Sequence, residues 1–391
     1  MMELRQARIA RIRGRGGGRL ELELELRWPA DPPGHPVDRP AGGRARAVAL
    51  DALGCFPYRA GDRVWVNVTA RCLRLGSGGV DFVVAPAAGR PAAASRAGLL
   101  DRRHGHIMKL RYTPLQLAVQ ACEEPGAPYH RLLRRFHQLQ GFPVAILALH
   151  SMVAPCAAAF AVSAGCGAGA ARPALVLTDS AALPAAVSDW VHDLLRRRLV
   201  APLITCGQAF GGQLEAVHAA SALVAASRSG APAALVAPGP GVVGTATLLG
   251  TSCLEVAALA DLVAALGGTA VVACRLSFSE RRLRHRGVSH HLQTALGMLA
   301  WGRHWLVLPA GLPRWQRHAA LSQLARCGIL GRHRVVEVPP PAREHLLPML
   351  SRPWQSMGKQ VHQEPALWDA AAACGRFLAW LAQPQLPQPA G

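Results

Sequence analysis

The sequence contains almost no lysine. Only two of its 43 basic residues, Lys109 and Lys359, are lysines, and the rest are arginines. Together with 39 glycines and 30 prolines, this bias is typical of a GC-rich genome. Arginine that reflects codon usage is spread over the surface, so the formal net charge of +20 does not by itself predict a polyanion-binding face. Scattered positive charge still favours anionic ligands over cationic ones.

Aromatic residues and paired cysteines are also scarce. Phe, Trp and Tyr make up 5% of the chain, and few lie near the arginine-rich stretches. Because single-stranded nucleic acid is bound by aromatic stacking as well as by charge, we do not expect nucleic acid to be the partner. The ten cysteines include no Cys-x-x-Cys pair, which excludes a metal knuckle or redox couple of that type. Reduced thiols in a cytoplasmic protein explain them better.

No uninterrupted apolar segment predicts a membrane helix. Residues 143–171 and 231–254 carry no charge and exceed the roughly 18 residues at which a spanning helix is considered. Prolines and glycines interrupt both stretches, for example Pro155 and Pro238, and buried elements of an α/β domain account for them better. No apolar stretch follows the basic N-terminus, so we expect neither a signal peptide nor a membrane partner.

The N-terminal region has the two-residue period of β-structure. Residues 20–26 alternate strictly between leucine and glutamate, which predicts a strand with one dry and one wet face. Further strands are expected at 44–50, 64–70 and 80–85, with glycine turns before the last two. Residues 1–97 are therefore predicted to form a small antiparallel β domain, either a barrel or a sandwich.

Residues 98–345 show a different pattern, in which short apolar runs alternate with Ala- and Leu-rich helical stretches. This alternation is typical of βαβ units and predicts an α/β domain with a mostly parallel sheet and flanking helices. Helices are expected at 185–198 and 213–227, and residues 346–391 are expected to form a helix and a mobile Pro-rich tail. The predicted strands are 144–149, 174–178, 202–205, 233–237, 270–275, 305–309 and 334–338.

Polar residues follow five consecutive predicted strands, which indicates a ligand site. Loops and helix N-termini meet beyond the carboxyl ends of parallel strands, and ligands bind there. His150 follows the first strand, Asp179 the second and Gln208 the third. We expect His150, Asp179 or His290 to handle protons and Gln208 to orient the substrate, although turn chemistry explains such residues as well. The same three titratable residues have ligand chemistry for a divalent metal, but we assign none.

A glycine-rich turn follows the fourth predicted strand. Gly239, Gly241 and Gly244 have Gly-x-Gly-x-x-Gly spacing and precede Thr245, so backbone N–H groups here are candidates for holding a phosphate or carboxylate. No Gly-Lys-Ser/Thr sequence follows, and the rest of a dinucleotide-binding unit is missing. An anion cradle and an ordinary tight turn remain equal alternatives.

The densest polar cluster is residues 281–291. Arg284 and Arg286 are predicted to hold an anion, because arginine forks bind phosphate and carboxylate bidentately. His290 and His291 are adjacent, so we expect them to point apart and at most one to contact a ligand. The alternative interpretation is a solvated basic loop.

Four motifs resemble those of a known family. They are residues 105–116, 207–212, 239–245 and 284–291, and the resemblance extends over residues 5–350. The chain resembles the bacterial family known as domain of unknown function 3866. The resemblance implies a cytoplasmic protein, and the family has no assigned activity. Lys109 lies in the first motif of a chain that uses arginine almost everywhere else, so we expect it to contact the ligand rather than to be a leftover surface lysine.

These observations favour an enzyme, a hydrolase or transferase, acting on a small anionic or phosphorylated metabolite. A non-catalytic metabolite sensor is the alternative, and a nucleic-acid-associated protein is less favoured. The residues indicate no particular cofactor. The oligomeric state stays open, and a homo-oligomer is compatible with the sequence.

Overall fold

The computed structural model describes residues 4–26, 43–53, 57–69, 79–87, 105–113, 115–165 and 172–383. The chain divides into two compact units, residues 1–119 and 120–391. The expected domain boundary at residue 97 and the Pro-rich tail after residue 383 lie outside the described residues. The predicted class is confirmed, since a small β unit precedes an α/β unit with a parallel sheet.

Within the described residues, five strands of the first unit close a barrel in the order β1-β2-β3-β5-β4, and β4 pairs with β1. The pairs are antiparallel except for β3 with β5, which is parallel. The strands are β1 (Leu4–Gly16), β2 (Arg19–Leu26), β3 (Gly43–Leu50), β4 (Arg63–Asn67) and β5 (Asp81–Pro86). A hairpin of β6 (Ile107–Lys109) and β7 (Leu117–Val119) completes the described part of this unit.

The leucines of β2 form the centre of the barrel core. Leu20, Leu22 and Leu24 are at most 2% exposed and pack with the inward residues of the other strands. Glu21 and Glu25 point the other way and are partly exposed. The leucine–glutamate alternation thus creates the dry interior that the sequence predicts.

The second unit contains a parallel sheet of eight described strands in the order β11-β10-β9-β12-β8-β13-β16-β17. The strands are β8 (Pro143–Ile146), β9 (Ala174–Thr178), β10 (Leu203–Cys206), β11 (Leu214–Ala216), β12 (Ala234–Pro238), β13 (Thr269–Ala273), β16 (Trp305–Pro309) and β17 (Arg334–Val338). Two further pairings of two-residue strands lie outside this sheet in the described part of the unit, and they are β14 (Leu276–Ser277) with β15 (Gly287–Val288) and β18 (Gln355–Ser356) with β19 (Lys359–Gln360).

Helices cover both faces of this sheet. The α-helices of the described chain are α1 (His130–Arg134), α2 (Val153–Ser163), α3 (Asp189–Arg196), α4 (Ala219–Arg228), α5 (Glu255–Ala265), α6 (His290–Thr294), α7 (Arg314–Arg326), α8 (Ile329–Arg332), α9 (Arg343–Leu346) and α10 (Pro365–Ala382). On one face α2 and α10 pack together, and α4, α5 and α7 lie on the other.

The central strands are apolar on both faces because both are buried. Ala145 belongs to one core cluster, whereas Val144 and Ile146 belong to the other. Small residues let α2 and α10 approach closely, since a Cβ on Gly375 would lie 2.1 Å from the carbonyl oxygen of Cys156. The C-terminal helix is therefore part of the core of the second unit.

One predicted helix begins too early. Residues 213–227 show helical periodicity, but Leu214–Ala216 form an edge strand, and α4 begins only at Ala219. The side chain of Glu215 accepts hydrogen bonds from Thr205 Oγ1 (2.7 Å) on the neighbouring strand and from Gly211 N (2.7 Å) in the preceding turn. The contact with Thr205, together with pairing to β10, overrides the local periodicity.

The strand order places a topological switch at the centre of the sheet. The chain runs outward from β8 to β11, returns to β12 beside β8, and continues to β13 on the other side of β8. Connections therefore diverge beyond the carboxyl ends of β8, β12 and β13, which leaves a crevice of the kind that binds ligands in open α/β sheets.

Candidate functional site

A cavity of about 450 Å³ lies at this switch, lined by loops that follow β8, β12 and β13. His150 and Ser151 line it after β8, and the glycine turn lines it after β12. The residues that line it after β13 are Arg275, Arg282, Arg284, His285 and His291, and the β18 side contributes Gln355, Ser356 and Met357. The walls therefore carry three arginines and three histidines.

Arg275 is a buried cation without an acidic partner. Its side chain is 7% exposed, and its Nη1 donates to Cys253 Sγ (3.2 Å) and lies 3.0 Å from His291 Nδ1. No described carboxylate lies within ion-pair distance of its guanidinium. Burial raises the pKa of the Cys253 thiol, which therefore stays uncharged at neutral pH. Glu280 acts on Arg275 only beyond ion-pair distance and is itself paired with Arg282, so no described carboxylate directly neutralises Arg275.

The other two arginines of the cavity differ from each other. Arg282 pairs with Glu280 at 2.8 Å, and this bond holds the pKa of the Glu280 carboxyl at about 2. Arg284 is exposed and makes no ion pair with a described residue. Of three positive charges, one is therefore balanced by a carboxylate.

Three histidines form a cluster at the edge of the cavity. The ring centroids of His285 and His290 are 4.7 Å apart, those of His285 and His291 are 4.8 Å apart, and those of His290 and His291 are 4.1 Å apart. The expectation that adjacent His290 and His291 point apart is wrong. They are the first two residues of the short helix α6, and the rings of both lie against the ring of His285.

The three imidazoles are neutral near pH 7. Burial is the main cause, and the positive charge of Arg275 adds to it for all three rings. These effects lower the pKa of His285 to about 4 and that of His291 to about 3, and they also lower the pKa of His290. Neutral rings offer lone pairs to a proton or a metal ion.

His150 is held firmly at the cavity wall. Its Nδ1 donates to the carbonyl oxygen of Pro238 (2.9 Å), and its Nε2 accepts from Ser188 Oγ (2.5 Å). Ser188 Oγ also caps α3 by accepting from Val191 N, and Ser188 is not among the residues that line the cavity. Burial lowers the pKa of His150, so this ring is neutral and both of its nitrogens are engaged.

The glycine turn approaches the cavity closely. Gly241 (φ +93°) and Gly244 line it, and a Cβ on Gly244 would lie 3.0 Å from His291 Cε1. A Cβ on Gly239 would lie 2.2 Å from the carbonyl oxygen of Ala182, so this position needs glycine for packing. Thr245 N donates to Gly250 O (2.8 Å) and does not line the cavity.

Asp179 and Gln208 contact each other, and neither forms part of the cavity wall. Gln208 N donates to Asp179 Oδ2 (2.8 Å), and Asp179 is exposed. Neither residue is among those that line the cavity. Their observed contact joins the turns that follow β9 and β10.

The remaining two predicted contacts lie elsewhere. Arg286 is exposed, its carbonyl oxygen accepts from Gln323 Nε2 (2.9 Å), and it is not among the lining residues. Lys109 belongs to the first unit and is 1% exposed, so it is not a leftover surface lysine. Its contact with a ligand stays a prediction.

Sequence reasoning did not single out Arg275, His285 or His291 as site residues. A signal for Arg275 was present, because it is a charged residue directly after the buried strand β13. His285 and His291 lie within the arginine–histidine motif, but their convergence depends on the 3₁₀ turn at Leu283–His285 and on the start of α6.

The model of one protein family matches residues 46–375, and its description is "Protein of unknown function (DUF3866)". The chain belongs to this family. The DUF3866 match includes the glycine turn, Arg275 and all three clustered histidines. No curated protein and no solved structure matches the chain. None of the described helices has the length and apolar character needed to cross a bilayer.

Proposed function

We propose that this DUF3866 protein is an enzyme that acts on a small anionic metabolite, a phosphorylated one in particular, bound in the cavity beyond β8, β12 and β13. The observation that carries the proposal is the buried guanidinium of Arg275, which faces the cavity without a carboxylate partner. Removing a charge from water costs several kcal/mol unless a partner compensates for it. A bound anion supplies that partner.

The charge balance of the cavity favours a ligand with about two negative charges. Arg282 is paired with Glu280, whereas Arg275 and Arg284 remain to be balanced. A phosphoryl group carries about −1.5 to −2 at neutral pH and matches the planar fork of arginine. The volume of about 450 Å³ lies within the range of small-molecule pockets.

Proton transfer is assigned to neutral imidazoles near the anion. His290 stands beside the lining residues His285 and His291, and His150 is fixed in the loop after β8. A neutral imidazole accepts a proton and, once charged, is stabilised by a neighbouring anion. The roles predicted for Asp179, Gln208 and Lys109 remain part of the proposal, but the proposal does not depend on them.

A thermal-shift titration with inorganic phosphate, pyrophosphate and a sugar phosphate tests the anion site. A ligand that binds only the folded chain raises the melting temperature by mass action. We expect at least one probe to raise it, and Arg275→Met to abolish the shift. Arg286→Ala is the matched control, because Arg286 is exposed and does not line the cavity.

Two results would contradict the proposal. One is that no probe shifts the melting temperature, and the other is that Arg275→Met retains the full shift. Pyrophosphate and a sugar phosphate that both bind without being cleaved, in the presence of water or an alcohol acceptor, select the non-catalytic sensor instead of the enzyme.

A further inference from the structure

We propose that His285, His290 and His291 form a binding site for one divalent transition-metal ion of the zinc class. One ring nitrogen from each residue lies within 4.8 Å of those of the other two. In a tetrahedral zinc site with bonds of about 2.0–2.1 Å, ligand nitrogens are roughly 3.3 Å apart. Small rotations of the three rings, which move each ligand nitrogen by up to about 1 Å, close that difference.

The hydrogen bonds of His290 leave one nitrogen ready to bind a cation. Its Nδ1 lies 3.2 Å from the carbonyl oxygen of Arg284, which only accepts, so Nδ1 carries the proton. Its Nε2 is buried and has no hydrogen-bond partner in the described structure. A buried lone pair without a donor is unfavourable, and a metal ion satisfies it.

His285 has a similar partner. Its Nδ1 lies 2.9 Å from Ser289 Oγ, a hydroxyl that is able to accept the Nδ1 proton, and in that tautomer Nε2 is the ligand atom. Metal-binding histidines commonly donate their second nitrogen to an oxygen in this way, which fixes the ring and the tautomer. Ser289 and the Arg284 carbonyl therefore act as positioning groups for the two rings.

His291 links the proposed metal to the anion site. Thr251 Oγ1 donates to Val243 O (2.8 Å) and so can accept from His291 Nδ1, which lies 3.3 Å away. Arg275 Nη1, 3.0 Å from the same Nδ1, can only donate and favours the opposite tautomer. A metal at Nε2 selects the tautomer that donates to Thr251 and frees Arg275 Nη1 for an anion.

The ligand set determines the class of metal. Three imidazoles suit Zn²⁺, Co²⁺, Ni²⁺ or Fe²⁺, whereas Mg²⁺ and Ca²⁺ require oxygen ligands, of which the cluster has none. Neutral ligands leave the ion its full charge, and a fourth coordination position faces the cavity that His285 and His291 line. An oxygen of the anion fits that position. The site itself rests on the histidines, and only its part in catalysis rests on the proposed function. A metal-bound His290 has no free lone pair, so with the ion in place the proposed proton transfer falls to His150.

Metal binding is measured on the full chain after treatment with a chelator and desalting into phosphate-free buffer. Zn²⁺ is titrated in competition with a chromophoric chelator, and Co²⁺ is followed by the visible absorption of its four-coordinate complex. We expect one ion per chain with a dissociation constant below about 1 µM. We expect His290→Asn and His291→Ala each to weaken binding at least about 100-fold. His290 is half-buried and its Nε2 has no hydrogen bond to lose, so the asparagine variant is expected to fold.

His318→Ala is the matched control, because His318 is an exposed histidine of α7 and should not change binding. The proposal is overturned if no site of this affinity exists, or if His290→Asn binds the ions as the unaltered chain does. The measurement contains no phosphate or pyrophosphate, so it is independent of the phosphate titration. Metal binding without any phosphate or pyrophosphate shift would support this site and overturn the proposed function, and the reverse pattern would do the opposite.

Discussion

Arginine has two different settings in the two units of the chain. In the barrel, the half-buried to exposed side chains of Arg11, Arg13 and Arg44 converge on Glu23, with distances of 2.9, 3.1 and 3.2 Å to its carboxylate. In the α/β unit, Arg275 is buried and its contacts are a thiol and an imidazole. Hydrated charges around an acid need no further partner, whereas a buried charge without one does. The exposure of each arginine therefore says more about function than the net charge of the chain.

The largest expected effect in this comparison concerns glycine rather than arginine. Gly239→Ala should destabilise the α/β unit by about 1–3 kcal/mol, because the new Cβ would lie 2.2 Å from the Ala182 carbonyl oxygen. Gly14→Ala in the barrel meets nothing within 4 Å and should leave stability unchanged or slightly raise it. Urea unfolding of both variants measures the difference. Equal midpoints for the two would show that the turn after β12 is not tightly packed.

A smaller effect is expected when Arg275 is replaced without any ligand present. Arg275→Met should leave the unliganded melting temperature unchanged or raise it, because an apolar side chain of similar volume avoids the cost of the buried charge. Arg11→Ala, at 64% exposure, should change unfolding free energy by less than about 1 kcal/mol. Melting curves in phosphate-free buffer check both. A large loss for Arg275→Met alone would mean that the guanidinium stabilises the fold and is not held ready for an anion.

The smallest expected effect is a pH dependence that differs between the units. The pKa of His150 is lowered from 6.5 by burial, so the unfolded chain binds its proton first and stability falls as the pH drops below about 6.5. His150→Asn should flatten this slope between pH 7 and pH 5 in chemical denaturation, relative to the unaltered chain. In the barrel, hydrogen bonds from Arg13 and Arg11 hold the pKa of Glu23 below 4.5, so its contribution is present above that pH and is lost only in more acidic solution. An unchanged slope for His150→Asn would mean that this ring is not buried in its neutral form.

Much of the architecture could be predicted from local patterns. The predicted strands 305–309 and 334–338 coincide with β16 and β17, and the leucines of β2 line the barrel as their alternation requires. Buried parallel strands are continuous apolar runs between turns, so their pattern is legible in a single sequence. The edge strand β11 was not predicted, because its three residues gain their conformation from β10 and from the contacts of Glu215.

The candidate site was predictable in position but not in composition. His150, Gly241, Gly244 and Arg284 line the cavity, as the rule of strand ends suggests. Asp179 and Gln208 follow strands equally well, yet they contact each other instead. Turn closure and ligand contact require the same residue types, and only the packing of neighbouring loops separates the two roles.

The periodicity of its apolar residues determined that this chain forms a β barrel and a parallel α/β sheet, because burial of alternate or continuous apolar faces is a local consequence of strand geometry. The tertiary structure alone decided that Arg275 is buried without an acid and that three imidazoles converge beside it. Side chains up to 16 residues apart meet there because a 3₁₀ turn and a helix start fold back over the end of β13. Whether a buried charge is compensated depends on the side chains that the fold brings next to it, and the periodicity of the sequence does not predict those contacts.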